Sequence, residues 1–218
     1  MIRADVNMTG TIKKGATIRT DKNNNSYLSF IVKVKLPEAK GKGSDLDVLV
    51  TLQGGKKNDL SLYTEKKRVT VQGTLDIRKK GDDLAFYLSA SKVSTKDVQD
   101  NDGITGELHF RGRLKNENIF EEKSDRNGNP YLLFSAYSSE KVGETFVSTW
   151  VRFLRFPDKG AGIDTIKPDW MQPKAKVSID GELQLSFYDK QVRISCRVAD
   201  MKEYVKEEYH NNQIGHYG

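Results

Sequence analysis

Two stretches, RTDKNNNSYLSF (residues 19–30) and EKSDRNGNPYLLF (residues 122–134), decide the fold, because one chain writes nearly the same turn and strand twice. A shift of 104 positions pairs Asp21 with Asp125, Lys22 with Arg126, Asn23 with Asn127, Asn25 with Asn129, Tyr27 with Tyr131, Leu28 with Leu132 and Phe30 with Phe134. Upstream, GTIK at Gly10 faces GRLK at Gly112, the second copy being two residues longer before its turn. Downstream, VTVQGTLDI (69–77) faces VSIDGELQL (177–185). The 218-residue chain is therefore read as two copies of one unit, about 6–98 and 104–202, joined by the polar, turn-rich KDVQDNDG. As domains this gives 1–98, a linker at 99–103, 104–202, and a polar C-terminal tail at 203–218 that could hold a short helix.

Each unit opens with a long alternating stretch punctuated by glycine, which suits a strongly curved strand. An Asp/Asn/Gly turn follows, and then a clear strand, SYLSFIVKVKL or PYLLFSAYS. A third strand, DLDVLVTL or FVSTWVRFLRF, precedes a short segment with helical character, NDLSLYTEKK or IDTIKPDWMQ, where Asn58 and Asp164 are candidate caps. Trp170 and Met171 in the second of these are read as plugs of the barrel. A fourth strand turns directly into a fifth. Three strands, a short helix and a hairpin is the order of the five-stranded OB barrel, so the predicted fold is all-β, with short helices, as two tandem OB barrels.

Composition limits what such a pair can do. The formal charge of +6 is unevenly placed: residues 1–100 hold 19 Lys and Arg against 12 Asp and Glu, and residues 101–218 hold 17 against 18. A basic first half suits a polyanion partner, and equally a lysine-rich solvated surface. No run of about 18 apolar residues and no signal-peptide pattern is present, so a cytoplasmic protein without a membrane partner is expected, of the cell or of an infected host. The single Cys196 falls in the alternating run VRISCRVA and reads as a buried strand residue. With three histidines, one cysteine, no phosphate-binding loop and no nucleophile elbow, the sequence gives an enzyme reading little support, as the third option after binding and scaffolding, and no metal or cofactor is expected.

Strand alternation sorts side chains. Leu28, Phe30, Val32 and Val34 share the inward parity, which leaves Tyr27, Lys33 and Lys35 outside. In the second copy Leu132, Phe134 and Ala136 point inward, leaving Tyr131, Leu133, Ser135 and Tyr137 outside. Aromatic faces stack unpaired bases and cations meet phosphates, so this mixture suits a single nucleic-acid strand.

Taken together, the glycine-containing first strand, the polar turn, the aromatic-rich second strand and the VxVxGxL pattern (VTVQGTL, VSIDGEL) resemble the bacterial-type single-stranded-DNA-binding (SSB) protein family, in each copy. Two barrels in one chain look more like a phage or mobile-element relative. The resemblance implies single-stranded DNA as partner, with RNA as the alternative, replication or recombination proteins as further partners, and a monomer or homodimer. Trp150-Val151-Arg152 resembles the family's Trp-x-Arg, which implies base stacking by Trp150 and a backbone contact by Arg152. The first copy has no aromatic there and carries Lys40 and Lys42 in a loop and Arg78, Lys79 and Lys80 at a hairpin, which suggests that the first barrel supplies charge and the second supplies stacking. Arg19, Lys22 and Arg126 complete the candidate nucleic-acid-binding set around the turns. The chain lacks the acidic, hydrophobic tip of bacterial members, so recruitment through such a tail is not expected. Other readings of the same residues stay open: Tyr27 and Tyr131 as covers of a barrel end or of the contact between barrels, Trp150 as core, the basic hairpin as a solvated tip, and the whole as a protein-binding scaffold.

Overall fold

The computed structural model describes residues 2–38 and 43–204. Eleven strands run in chain order: β1 Ile2–Thr20, β2 Ser26–Leu36, β3 Ser44–Gln53, β4 Arg68–Lys80, β5 Asp83–Ser94, β6 Gly103–Leu114, β7 Phe120–Ser124, β8 Pro130–Val142, β9 Thr145–Arg155, β10 Lys176–Tyr188 and β11 Gln191–Glu203. The first unit closes as β1-β2-β3-β5-β4-β1, with β3 and β5 parallel and the other pairs antiparallel. The second closes the same way, with β6 and β7 together in the place of β1. Both rings have the strand order of the OB barrel. The last described residues of the polar tail extend β11 to Glu203 rather than forming a helix, and 205–218 lie outside the described residues.

The repeated turn explains its own repetition. The Asp21 carboxylate accepts from the backbone N–H of Asn23 (2.8 Å) and Asn25 (2.9 Å) and from the Asn25 side chain; Asp125 does the same with Asn127 and Asn129, at 2.8 and 2.9 Å. Asn24 and its counterpart Gly128 take left-handed backbone, φ 61° and 81°, which these residue types tolerate best. Glycines recur at the barrel corner too. A Cβ at Gly10 would lie 2.5 Å from the Lys33 carbonyl oxygen, and one at Gly112 would lie 2.2 Å from that of Tyr137. There the first strand leaves one neighbour and takes up the next, and the backbones approach too closely for a side chain. The two extra residues of the second copy break its first strand between Leu114 and Phe120, where β1 stays continuous.

The short helical segments are 3-10 turns, Lys57–Leu62 and Ile163–Ile166. Each begins before the candidate cap: Asn58 and Asp164 lie inside the turns, and Lys56 and Gly162 occupy the cap positions with no side-chain capping bond. The first is closed instead by Asp59, whose carboxylate accepts the Lys56 N–H at 2.8 Å. Met171 is buried and Trp170 packs against the core, as plugs would. Cys196 is fully buried in β11, and that burial pushes its thiol up to about 12.

What joins the barrels is a strand pair. β1 and β6 run antiparallel from Ile2↔Phe110 to Thr9↔Gly103, so one sheet crosses from barrel to barrel. The register sets Asp5 opposite Glu107, its own repeat equivalent, and the two units are related by a local two-fold at that point. Ile2, Ala4, Met8, Leu108 and Phe110 bury one face of this seam, so the two cores form one cluster. The other face is polar. Like charges directly opposite repel, and here Thr74 donates to Asp5 at 2.9 Å while His109 sits between Asp180 (Nδ1, 2.7 Å) and Asp5 (Nε2, 3.5 Å). Asp102 pins the linker: it takes Arg68 at 2.7 Å and the Lys35 backbone N–H at 2.9 Å. Reciprocal hairpin contacts complete the joint. The Lys79 N–H donates to Glu140 of β8 at 2.9 Å, and the Phe187 N–H donates to the Pro37 carbonyl at 2.9 Å.

Two outcomes test the seam. A Cβ at Gly106 would stand 2.0 Å from the Asp5 carbonyl oxygen, so Gly106→Val should lower stability by about 1–3 kcal/mol in urea unfolding. The Asp180 hydrogen bond, against some loss from burial, raises the His109 pKa, with neighbouring carboxylates adding to it. Its stabilisation is then fully present below the ordinary histidine pKa and lost as pH rises through the raised one. NMR titration of His109 should show the raised midpoint, and the Tm of wild type should fall over that window more than the Tm of His109→Asn.

Candidate nucleic-acid interface

The outward-facing side chains of β8, β9 and β11 form one surface on the second barrel. Cross-strand register stacks Tyr137 on Trp150, Ser135 on Arg152 and Leu133 on Leu154, and the parallel pairing of β9 with β11 brings Ser195 beside Arg152 and Arg197 beside Leu154. Inward residues of the same strands, Phe134, Val151, Phe153, Ile194 and Cys196, are buried, which fixes the parity. The Tyr137 and Trp150 rings lie 5.0 Å apart at 50°, and Trp150 is 51% exposed. At the other end of the strands Tyr131 stacks on Phe156 with centroids 5.1 Å apart, and the Arg197 guanidinium lies 4.7 Å from the Phe156 centroid.

A second edge comes from the β10–β11 hairpin. Asp189 and Lys190 both have positive φ, 51° and 62°, as a two-residue turn between tightly twisted strands needs. The turn leaves Tyr188 exposed, with Arg193 over its ring at 4.0 Å. Tyr188, Arg193, Trp150, Arg152 and Ser135 line one open cleft. Beyond Tyr137, Arg113, Lys176 and Tyr204 line a second cleft. Aromatic rings with arginines between them give stacking faces and backbone anchors a few ångströms apart.

Of the sequence-derived candidates, Tyr131, Tyr137, Trp150 and Arg152 come together on this face. Arg126 is exposed in the turn below it. Trp150 is on the surface, so the reading that placed it in the core fails; Phe153 fills that position instead. Leu133, expected outside, is buried at 7% because β7 and Leu154 flank it.

The first-barrel candidates are scattered. Tyr27 is half-buried between Arg19 and Gln53 on neighbouring strands, and Lys22 is exposed in its turn. Lys33 is paired with Asp45 at 3.1 Å, while Lys35 is exposed at the linker. Arg78 lies beside Asp76 and over Tyr87, the Lys79 ammonium donates to the Asp82 carbonyl, and Lys80 is exposed at the hairpin tip. Lys40 and Lys42 lie outside the described residues. Sequence reading missed Tyr188, Arg193, Arg197 and Phe156 as members of the surface. The fifth-strand pattern QVRISCRVA holds the signal that could have found Arg193 and Arg197, since they alternate with the buried Ile194 and Cys196; only the β9–β11 pairing put them near Arg152.

The chain matches no family model and no curated protein. Among solved structures it is similar to the wild-type single-stranded DNA binding protein from Thermus aquaticus, with 13% identity over 94% of each chain and a TM-score of 0.44. A deletion mutant of that protein gives 12% identity over 95% of this chain and 97% of that one, also at 0.44. The N-terminal domain of PriB protein from Thermoanaerobacter tencongensis gives 14% identity over 41% of this chain and 93% of that one, at 0.31. Among the described residues, no helix is long and apolar enough to cross a membrane and no cluster of His, Cys, Asp or Glu is set to hold a metal.

Exposure differs between the two tryptophans, Trp150 on the surface and Trp170 against the core. Acrylamide should therefore quench an accessible fraction of the intrinsic emission in wild type that is absent from Trp150→Phe.

Proposed function

We propose that the chain binds single-stranded DNA, largely without regard to sequence, along the outer face of β8, β9 and β11. The observation that carries this reading is the aromatic and arginine surface itself: Tyr137 with Trp150 and Tyr131 with Phe156 offer base platforms, and Arg152, Arg193 and Arg197 lie between and beside them. Every base has a π-face, so stacking tolerates any sequence, and phosphate contacts add affinity that salt weakens. Binding is the whole of the activity proposed. Coating of exposed strands during replication, recombination or repair is the role that such binding serves.

Titration of tryptophan emission with oligo(dT), oligo(rU) and a duplex of equal length tests it. Quenching by oligo(dT) and not by duplex is the expected result, with Trp150→Ala losing about 1–3 kcal/mol of affinity. Arg152→Ala should reduce the slope of log K against log salt by about 0.7. A stronger response to oligo(rU) would move the assignment to RNA, and no response to either strand would end the nucleic-acid reading.

A further inference from the structure

The barrels share a topology, so each position of the binding face has a counterpart in the first barrel. Phe30 and Phe134 are repeat equivalents; their cross-strand partners are Val50 and Phe153, and across the parallel pair these meet Leu88 and Cys196. Counting from those anchors, Asp47 stands where the second barrel has Trp150, and Leu49 where it has Arg152. Lys33 replaces Tyr137, and Ala85 replaces Arg193. On the counterpart face a carboxylate takes the place of Trp150, and Leu49, Ala85 and Ser89 take those of Arg152, Arg193 and Arg197; its outward aromatics are Tyr87, at the place of Ser195 and with the Arg78 guanidinium 6.0 Å from its centroid, and the half-buried Tyr27. Two of the first barrel's lysines pair with carboxylates at the surface, Lys33 with Asp45 at 3.1 Å and Lys13 with Asp47 at 2.5 Å.

The first barrel does something else for the second. Beyond Tyr137 and Arg152, strands β8 and β9 pair, among the described residues, only with each other, and a two-stranded ribbon projects past the barrel to the Val142–Thr145 turn. Such a ribbon is marginal alone. Its inner face carries Ser138, Glu140 and Thr149, and there the first barrel's hairpin meets it: the Lys79 backbone N–H donates to the Glu140 carboxylate at 2.9 Å. Its outer face continues the line of Trp150, with Ser148 and then Phe146 opposite Lys141. Phe146 is 73% exposed and has no polar handle. It lies about 13 Å along the strand from Trp150, at roughly 3.3 Å per residue.

We infer that the chain carries a single strand track, running over the second barrel and out along this ribbon to Phe146, and that the first barrel braces the ribbon instead of offering a second binding face. The inference rests on the single-strand reading above. Glu140 is then a positioning residue: it touches no ligand and holds the element that does.

The charge of Glu140 makes the test directional. Removing a carboxylate near the track should by itself strengthen polyanion binding, whereas loss of the brace should weaken it. Glu140→Ala is expected to weaken oligo(dT) binding roughly threefold to tenfold, and Glu140→Gln, which keeps an acceptor for the Lys79 N–H, to bind at least as well as wild type. Phe146→Ala should weaken wild type about fivefold or more, and far less in the Glu140→Ala background, giving a non-additive cycle. Calorimetry with a short oligo(dT) should give one strand per chain. Two strands of similar affinity per chain, or tighter binding by Glu140→Ala, would overturn the inference while leaving single-strand binding intact. Absence of wild-type binding would instead sink the reading on which it rests.

Discussion

Everything in this molecule hangs on the antiparallel pairing of β1 with β6. That pairing turns two barrels into one eleven-stranded sheet with one continuous core, and it sets the relation between them through the Asp5–Glu107 register. A one-residue slip would send Ile2, Ala4, Met8, Leu108 and Phe110 to solvent and bring Arg3, Asp5 and His109 into the core, so the register is held by burial. The polar face of the seam opposes two carboxylates, and His109 and Thr74 offset their repulsion. The hairpin contacts at Lys79–Glu140 and Phe187–Pro37 follow from this geometry, because each barrel's last hairpin is carried across onto its partner.

The repeats have kept and lost residues along a clear physical line. What both copies hold is backbone chemistry: the Asp turn with its left-handed residue, the corner glycine under a carbonyl, and the inward strand parity. These are demands of a closed barrel, and any copy that folds must meet them. What differs most is the outward parity of strands two, three and five, which the barrel core does not constrain. One barrel there presents Trp150, Arg152, Arg193, Ser195 and Arg197, and the other presents Asp47, Leu49, Ala85, Tyr87 and Ser89.

The placement of charge shows why net charge misleads. The first half of the chain holds the basic excess, yet Lys13, Lys33 and Arg68 are engaged by Asp47, Asp45 and Asp102. The second half is nearly neutral overall, yet its arginines gather on one face beside aromatic rings. Arginine suits a surface of rings better than lysine, since its planar, weakly hydrated head stacks on them.

The sequence by itself determined the repeat, the all-β class, the strand order and the inward residues, because alternation, turn chemistry and glycine placement act over a few neighbouring positions. It also singled out Trp150, Arg152, Tyr131 and Tyr137, whose parity is local information. Only the tertiary structure decided the rest. The parallel pairing of β9 with β11 brings Arg197 to Leu154 from 43 positions away in the chain, the hairpin turn places Tyr188 at the cleft, and Glu140 meets Lys79 from the other barrel. Those are contacts between strands distant in sequence, and no residue carries the address of a partner that only closure of the barrels and the β1–β6 register bring near.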